Sequence, residues 1–306
     1  MKSAENKSSL INFTDYLSAR YHADSINITH SVIDDEVHLK ISVTNSKTPS
    51  RLTLVNKNTN NFKVIAEINV ESQSSFELID ENNYEMDTSF KLDTYLGDGS
   101  VFELYRFNKF KAETRNSFLH TCSLSKNSTF KDYNFTTGSD HTKNQTKINL
   151  NDKNSNYIGS GVVISNSSKC ENYLDIRHLS DSAKSDCSFK AVSRGKSNVS
   201  FNGKVFVDEK CFNTVSNQIS KGLLMDKDSK VNLTPILEIN NDDVICSHGA
   251  ASGKADEEIL FYLASRGIAK ADAERLYIQG FLSEFISKID DSEMQTKGRK
   301  YIIENC

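Results

Sequence analysis

The chain has no tryptophan, and only two prolines, Pro49 and Pro235, occur in 306 residues. A Greek-key sandwich of this size carries more Pro/Gly punctuation and a larger aromatic core, so the shortage argues against one. No apolar run approaches the ~18 residues of a membrane-spanning helix, and no membrane partner is expected. The stretch from Met1 to Ala19 lacks the apolar centre of a secretory signal. The location expected is therefore the cytoplasm, with a plastid or other organelle stroma as the alternative. The formal net charge of −4 shows no basic surplus, which removes the electrostatic reason for a nucleic-acid partner. There is no GxxxxGK[ST] phosphate loop, so ATP hydrolysis would have to come from another chain. A GxSxG nucleophile elbow is missing too, and the chain is not expected to be an enzyme. The six cysteines, Cys122, Cys170, Cys187, Cys211, Cys246 and Cys306, show no CxxC or zinc-ribbon spacing. They are expected to be free thiols. Sequons such as those at Asn27 and Asn127 follow from an Asn-rich composition.

What is present is a long series of short alternating segments. Hydrophobic residues make up 37% and charged residues 25%, polar for a globular protein yet compatible with a sizeable core. Val37, Leu39, Ile41 and Val43 alternate with polar neighbours, as do Val64, Ala66, Ile68 and Val70. Val101 to Phe107 and Val199 to Val207 look alike. Period two puts one face of a strand on a core. The connections are rich in Asn, Ser, Asp and Lys, and no helical pattern separates the strands, which argues for an all-β body over βαβ units. Monotony with little punctuation favours a stacked solenoid. The most polar segment, Asn134 to Asn156, is expected to be an exposed turn or loop.

The pattern changes after residue 255. Asp256, Glu257 and Glu258 precede Ile259, Leu260 and Leu263 and complement a helix N-terminus, with Gly267 closing that helix. A second helix is expected from about Lys270 to Lys288, with Ile278, Phe281, Leu282, Phe285 and Ile289 on one stripe. A short third helix is expected near Glu293 to Ile303.

The run from Leu237 through Asp242, Asp243, Cys246, Ser247, His248 and Gly249 to Ala250, continuing into DEEILFYLASRGI at Asp256–Ile268, resembles the signature of the SufB/SufD family of iron–sulfur cluster assembly proteins. KGLLMDKDSKVN at Lys221–Asn232 with Thr234-Pro235, the strand Phe201–Val205, and the spaced His178, Ser185 and Lys190 resemble further family segments. The Cys-Ser-His-Gly-Ala form is similar to the SufD branch. The resemblance implies a mainly β fold, a right-handed parallel β-helix core with a small C-terminal α-helical domain. Its expected boundaries are a reduced N-terminal segment at 1–30, the β-helix at 31–250 and the helices at 251–306. It implies a scaffold of the SufBCD complex. The β-helix would pair with a SufB-type subunit, a SufC-type ABC ATPase would dock on the helices at about 256–289, and the two scaffolds would share a transient iron–sulfur cluster. The alternatives are a β-helix polysaccharide-active enzyme, for which no paired carboxylates can be identified, and a SufB-like homodimeric scaffold.

Two residues are the candidate cluster contacts. His248, at the junction between strand and helix, offers an imidazole nitrogen to iron; the alternative is a histidine that caps the helix or bonds backbone. Cys246 falls on the same side of an extended strand and would supply a thiolate; the alternative is a small buried hydrophobe. Glu238, Asp242 and Asp243 are read as a solvated turn in preference to a cation site, and His178 as a core or interface residue.

Overall fold

A computed structural model describes residues 9–12, 17–21, 25–34, 36–44, 49–58 and 61–306. The first strands are β1 (Ser9–Asn12), β2 (Leu17–Tyr21), β3 (Ile26–Ile33), β4 (Glu36–Val43), β5 (Ser50–Asn58) and β6 (Phe62–Val70). Next come β7 (Ser75–Tyr84), β8 (Thr88–Leu96), β9 (Val101–Phe110), β10 (Arg115–Leu124), β11 (Thr129–Thr137), β12 (His141–Leu150) and β13 (Asn156–Asn166). The last are β14 (Lys169–His178), β15 (Lys184–Arg194), β16 (Asn198–Val207), β17 (Thr214–Leu224), β18 (Lys230–Ile239) and β19 (Val244–Lys254). From β4 onward each strand pairs in parallel with the strand two places on, so the odd strands stack into one sheet and the even strands into another. The result is a solenoid of about eight turns.

The corners explain how the chain keeps this course. A residue with positive φ recurs between each even strand and the next odd one from β6 to β17: Gln73, Gly99, Asn127, Asn154, Ser182 and Asn213. Asn and Gly tolerate that left-handed conformation better than other residues. The backbone N–H of each donates to a carbonyl of the next coil's corner, as from Gly99 to Lys126 and from Asn127 to Lys153 (2.8 and 3.0 Å). Ser100, Ser128 and Ser155 follow directly and return their hydroxyls to the carbonyls of Gly97, Ser125 and Asp152.

Inward side chains form columns along the solenoid. Phe76, Phe102 and Phe130 stack with ring centroids 5.4 and 5.1 Å apart, and Leu52, Leu78 and Leu104 form the neighbouring column. Burying each such side chain contributes about 1.5–3 kcal/mol. Toward the middle coils the interior becomes polar. Arg106 Nε lies 3.3 Å from Asp80 Oδ2 with both side chains buried, Asn82 donates to Asn108, and Asn144 donates to Asn172 (2.9 Å each).

That polarity corrects the expectation of a loop over Asn134–Asn156. Much of the segment is strand: the end of β11 and all of β12, with Thr142, Asn144, Ile148 and Leu150 buried. Its buried polar residues point inward, and Asn144 pairs with its counterpart Asn172 on the next coil.

Three helices follow: α1 (Glu257–Ser265), α2 (Lys270–Ile286) and α3 (Ser292–Asn305). Asp256 caps α1 by accepting from the N–H groups of Glu258 and Ile259, and Gly267, at φ 86°, ends its last turn. Helices α2 and α3 fold back over the outer face of the odd-strand sheet. There Ile278, Leu282, Phe285 and Ile289 pack on Tyr105, Tyr133, Phe135, Val162 and Val192, and Phe285 meets Phe135 edge-on at 5.1 Å. Polar pins surround this layer: Arg194 on Glu274, Lys131 on Asp290 and Arg51 on Asp291 (2.7–2.8 Å).

Candidate functional site at the open end of the solenoid

The two ends of the solenoid differ. At the start, β3 closes the even-strand sheet by pairing antiparallel with β4, and β2 pairs antiparallel with β5. At the other end β18 and β19 are the outermost strands of their sheets, and among the described residues nothing covers them. Each presents a row of unpaired backbone groups along its outer edge.

Both candidate residues lie on β19. Cys246 stands opposite Ser216 and His248 opposite Gln218 in the parallel ladder with β17. They therefore continue two inward columns onto the last coil. The Cys246 column is that of Phe76, Phe102, Phe130, Tyr157, Ser185 and Ser216; the His248 column is that of Leu104, Asp132, Gly159, Cys187 and Gln218. On every earlier coil these positions are covered by the next turn, whereas the last coil has no turn beyond it among the described residues. His248 is exposed and Cys246 half-buried, packed at the edge of the core beside Val244. Partial burial raises the Cys246 thiol pKa above its ordinary value, against the opposing pull of the Ser216 backbone hydrogen bond. Ser247 faces the other way and donates to Asn217 Oδ1 at 2.9 Å.

Around the pair the last coil is unusually apolar for a free end. Ile245 is 73% exposed, and Ile236 and Ile239 on β18 are exposed as well. The Asn241–Asp243 corner holds itself together, Asn241 accepting from the Asp243 N–H and donating to the Glu209 carbonyl (2.8 and 2.7 Å). No group of three His, Cys, Asp or Glu side chains placed to hold a metal ion exists among the described residues. His248 and Cys246 are two donor types on one strand, fewer than a complete metal-ligand set by themselves.

The spaced His178, Ser185 and Lys190 separate into two roles. His178 is fully buried, its Nε2 3.0 Å from Ser185 Oγ, which in turn lies 2.8 Å from Ser216 Oγ under the Cys246 column. Lys190 points outward and pins α2. Cys122, Cys170, Cys187 and Cys211 are buried free thiols, and that burial pushes the pKa of all four up. The described helices include none long and apolar enough to cross a membrane.

A family model for the SUF system FeS cluster assembly SufBD core domain matches residues 52–281. The chain belongs to the SufBD family. Within it the chain is SufD-like. It is 31% identical over 173 residues to the iron–sulfur cluster assembly protein SufD of Escherichia coli, covering 56% of this chain and 41% of that protein. The SufD protein of Bacillus subtilis is 31% identical over 129 residues, 42% of this chain and 30% of that one. A chloroplastic protein of Arabidopsis thaliana, ABCI7, is 36% identical over 111 residues, 36% of this chain and 23% of that protein. The chain thus spans less than half the length of these relatives.

Proposed function

We propose that this SufD-like chain is a non-catalytic scaffold subunit for iron–sulfur cluster assembly. Its open solenoid end would join a SufB-type subunit, its helices would dock a SufC-type ABC ATPase, and His248, with Cys246 beside it, would hold the growing cluster at the joint. The observation that carries this reading is the placement of an imidazole and a thiol on two adjacent inward columns of the last coil, which is uncovered among the described residues, between two outer strand edges. A partner strand added to either edge would satisfy the unpaired backbone groups, bury Ile236, Ile239 and Ile245, and bring a second set of donors to His248. The cluster is the cargo of this site. Imidazole nitrogen and thiolate sulfur both ligate iron, and a pair of donors from each chain makes a site that exists only while the chains are joined.

The helices support the docking of the ATPase. Helix α1 buries none of its side chains, and Ile259, Phe261 and Tyr262 are 45%, 75% and 56% exposed. Aromatic side chains left open in this way are typical anchors of protein interfaces. Action in the cytoplasm or in an organelle stroma is the corresponding location.

The test is co-purification under reducing, anaerobic conditions with the cognate SufB-type and SufC-type subunits. A three-component complex is expected, and Ile245→Asp is expected to abolish association with the SufB-type subunit while sparing the ATPase. Absence of association with either partner sinks the proposal, and a stable two-fold self-complex that binds cluster alone would replace it with a homodimeric scaffold.

A further inference from the structure

The middle coils enclose an imbalance of charge. Asp80 and Arg106 are paired inside the solenoid, with the Arg106 guanidinium also 5.7 Å from the Phe118 ring centroid. A second carboxylate, Asp132, is buried one column away, opposite Leu104 on the preceding coil and Gly159 on the next. Among the described residues it has no ion-pair partner within 4 Å, and its Oδ1 accepts no hydrogen bond. Two buried carboxylates therefore face one buried cation. An isolated ionised carboxylate in an apolar interior is costly unless something neutralises it.

Beside Asp132 the space between the sheets stays open. A cavity of about 60 Å³ is lined by Asp132 and Asn134 from one sheet, Asn144 and Asn172 from the other, and Gly159 and Gly161. A single water needs ~10–15 Å³ on this measure, so there is room for an ion with a water or two. The two glycines make room for the rings that border it: a Cβ at Gly159 would fall 2.4 Å from the Tyr157 hydroxyl, and one at Gly161 3.1 Å from the Phe189 ring. Asn144 is oriented by its donation to Asn172 Oδ1, which leaves its own carbonyl oxygen without a partner among the described residues. Two buried oxygen acceptors, one of them a carboxylate, thus share a cavity with no donor bonded to either.

We propose that this cavity binds one monovalent inorganic cation, held by the carboxylate of Asp132 and the amide oxygen of Asn144, with water completing its shell. The proposed donors are oxygens with a single carboxylate, and the one thiol in the lining, Cys187, is held neutral by burial. That suits a hard, singly charged ion better than a divalent or transition metal. The competing way to neutralise Asp132 is a proton. Burial holds its carboxyl up to about 6, so above pH 7 the proton is gone and the cation remains.

The experiment is thermal unfolding of the full chain at pH 8 in potassium, sodium and choline chloride at matched ionic strength, for wild type and Asp132→Asn. Wild type is expected to melt about 2–4 °C higher in potassium or sodium than in choline, a shift that grows with cation concentration. In D132N the three salts are expected to give one midpoint. Equal wild-type midpoints in all three salts overturn the site, as does a D132N protein that keeps the difference. If D132N does not fold, rubidium-soaked wild-type crystals decide: an anomalous peak within bonding distance of Asp132 supports the site, and none there refutes it.

Discussion

Lys190 Nζ donates to the carbonyl of Phe281 at 2.7 Å and to Glu284 Oε2 at 2.9 Å, joining β15 to α2 from a nearly fully buried position. The lysine also lies 5.1 Å from the Phe281 ring centroid. Lys190→Met keeps the apolar stem and removes the donor. It is expected to cost about 1.5–3 kcal/mol, the range for a hydrogen bond to a charged group. Glu284 is 60% exposed at its side chain, so Glu284→Gln is expected to cost no more than about 1 kcal/mol. Urea unfolding of the two variants measures the asymmetry; equal losses would contradict it.

The helical layer rests on aromatic packing more than on these pins. Phe285 is fully buried against Phe135, and Phe285→Ala is expected to destabilise the chain by about 3–5 kcal/mol. Limited proteolysis should then cut in α2 and α3 before it cuts the solenoid. Uniform cleavage along the chain would show that the helices do not open separately.

His178 makes stability depend on pH. Burial lowers its pKa to about 4 from the ordinary 6.5, so the folded protein holds it neutral while the unfolded chain protonates it. Its contribution is complete above pH 6.5 and is lost as pH falls toward 4, up to roughly 3 kcal/mol. His120, also buried and lowered, acts in the same direction. Asp132, raised by burial, acts in the opposite one. Comparing wild type with His178→Asn isolates the histidine, because the variant retains the other two. The stability gap between them is expected to narrow from pH 7 to pH 4.5, and a constant gap would exclude the effect.

Phe261 gives a separable test of the proposed docking surface on α1. Since its ring is 75% exposed, Phe261→Ala is expected to leave stability within about 0.5 kcal/mol. Affinity for the ATPase subunit should fall at least tenfold, as for an aromatic interface anchor. Unchanged affinity measured by titration calorimetry places the docking surface elsewhere.

Several features of the fold are legible in the sequence alone. The period-two spacing of Val37–Val43 and Val64–Val70 marks β4 and β6, and the stripe from Ile278 to Phe285 is the face α2 lays on the sheet, with Ile289 just past its end. Alternation reveals that a residue faces a core, yet it is silent on which strand lies beside it. The repeat is hidden because its length drifts, from 26 residues between Ser50 and Phe76 to 31 between Ser185 and Ser216. The columns also change chemistry, from Leu104 to Asp132 to Gly159. A usable signal lies at the corners, where Gly99-Ser100, Asn127-Ser128 and Asn154-Ser155 recur at nearly that interval. The expectation of a loop over Asn134–Asn156 fails for the reason that the cavity exists: hydropathy assumes an apolar interior, and here the interior is built of paired amides. His248 and Cys246 stand out through their resemblance to a family signature. That they lie on the uncovered coil depends on where the stacking stops, which no local pattern encodes.

On the proposed function, His248 holds cluster at a joint it does not itself build. The measurement is His248→Ala in the reconstituted three-subunit complex, with complex assembly and cluster formation scored on the same sample. The expected result is a complex of normal stoichiometry with cluster yield reduced at least tenfold, since the exposed side chain supports no core packing. A variant complex that assembles and forms cluster at the wild-type yield would contradict the account.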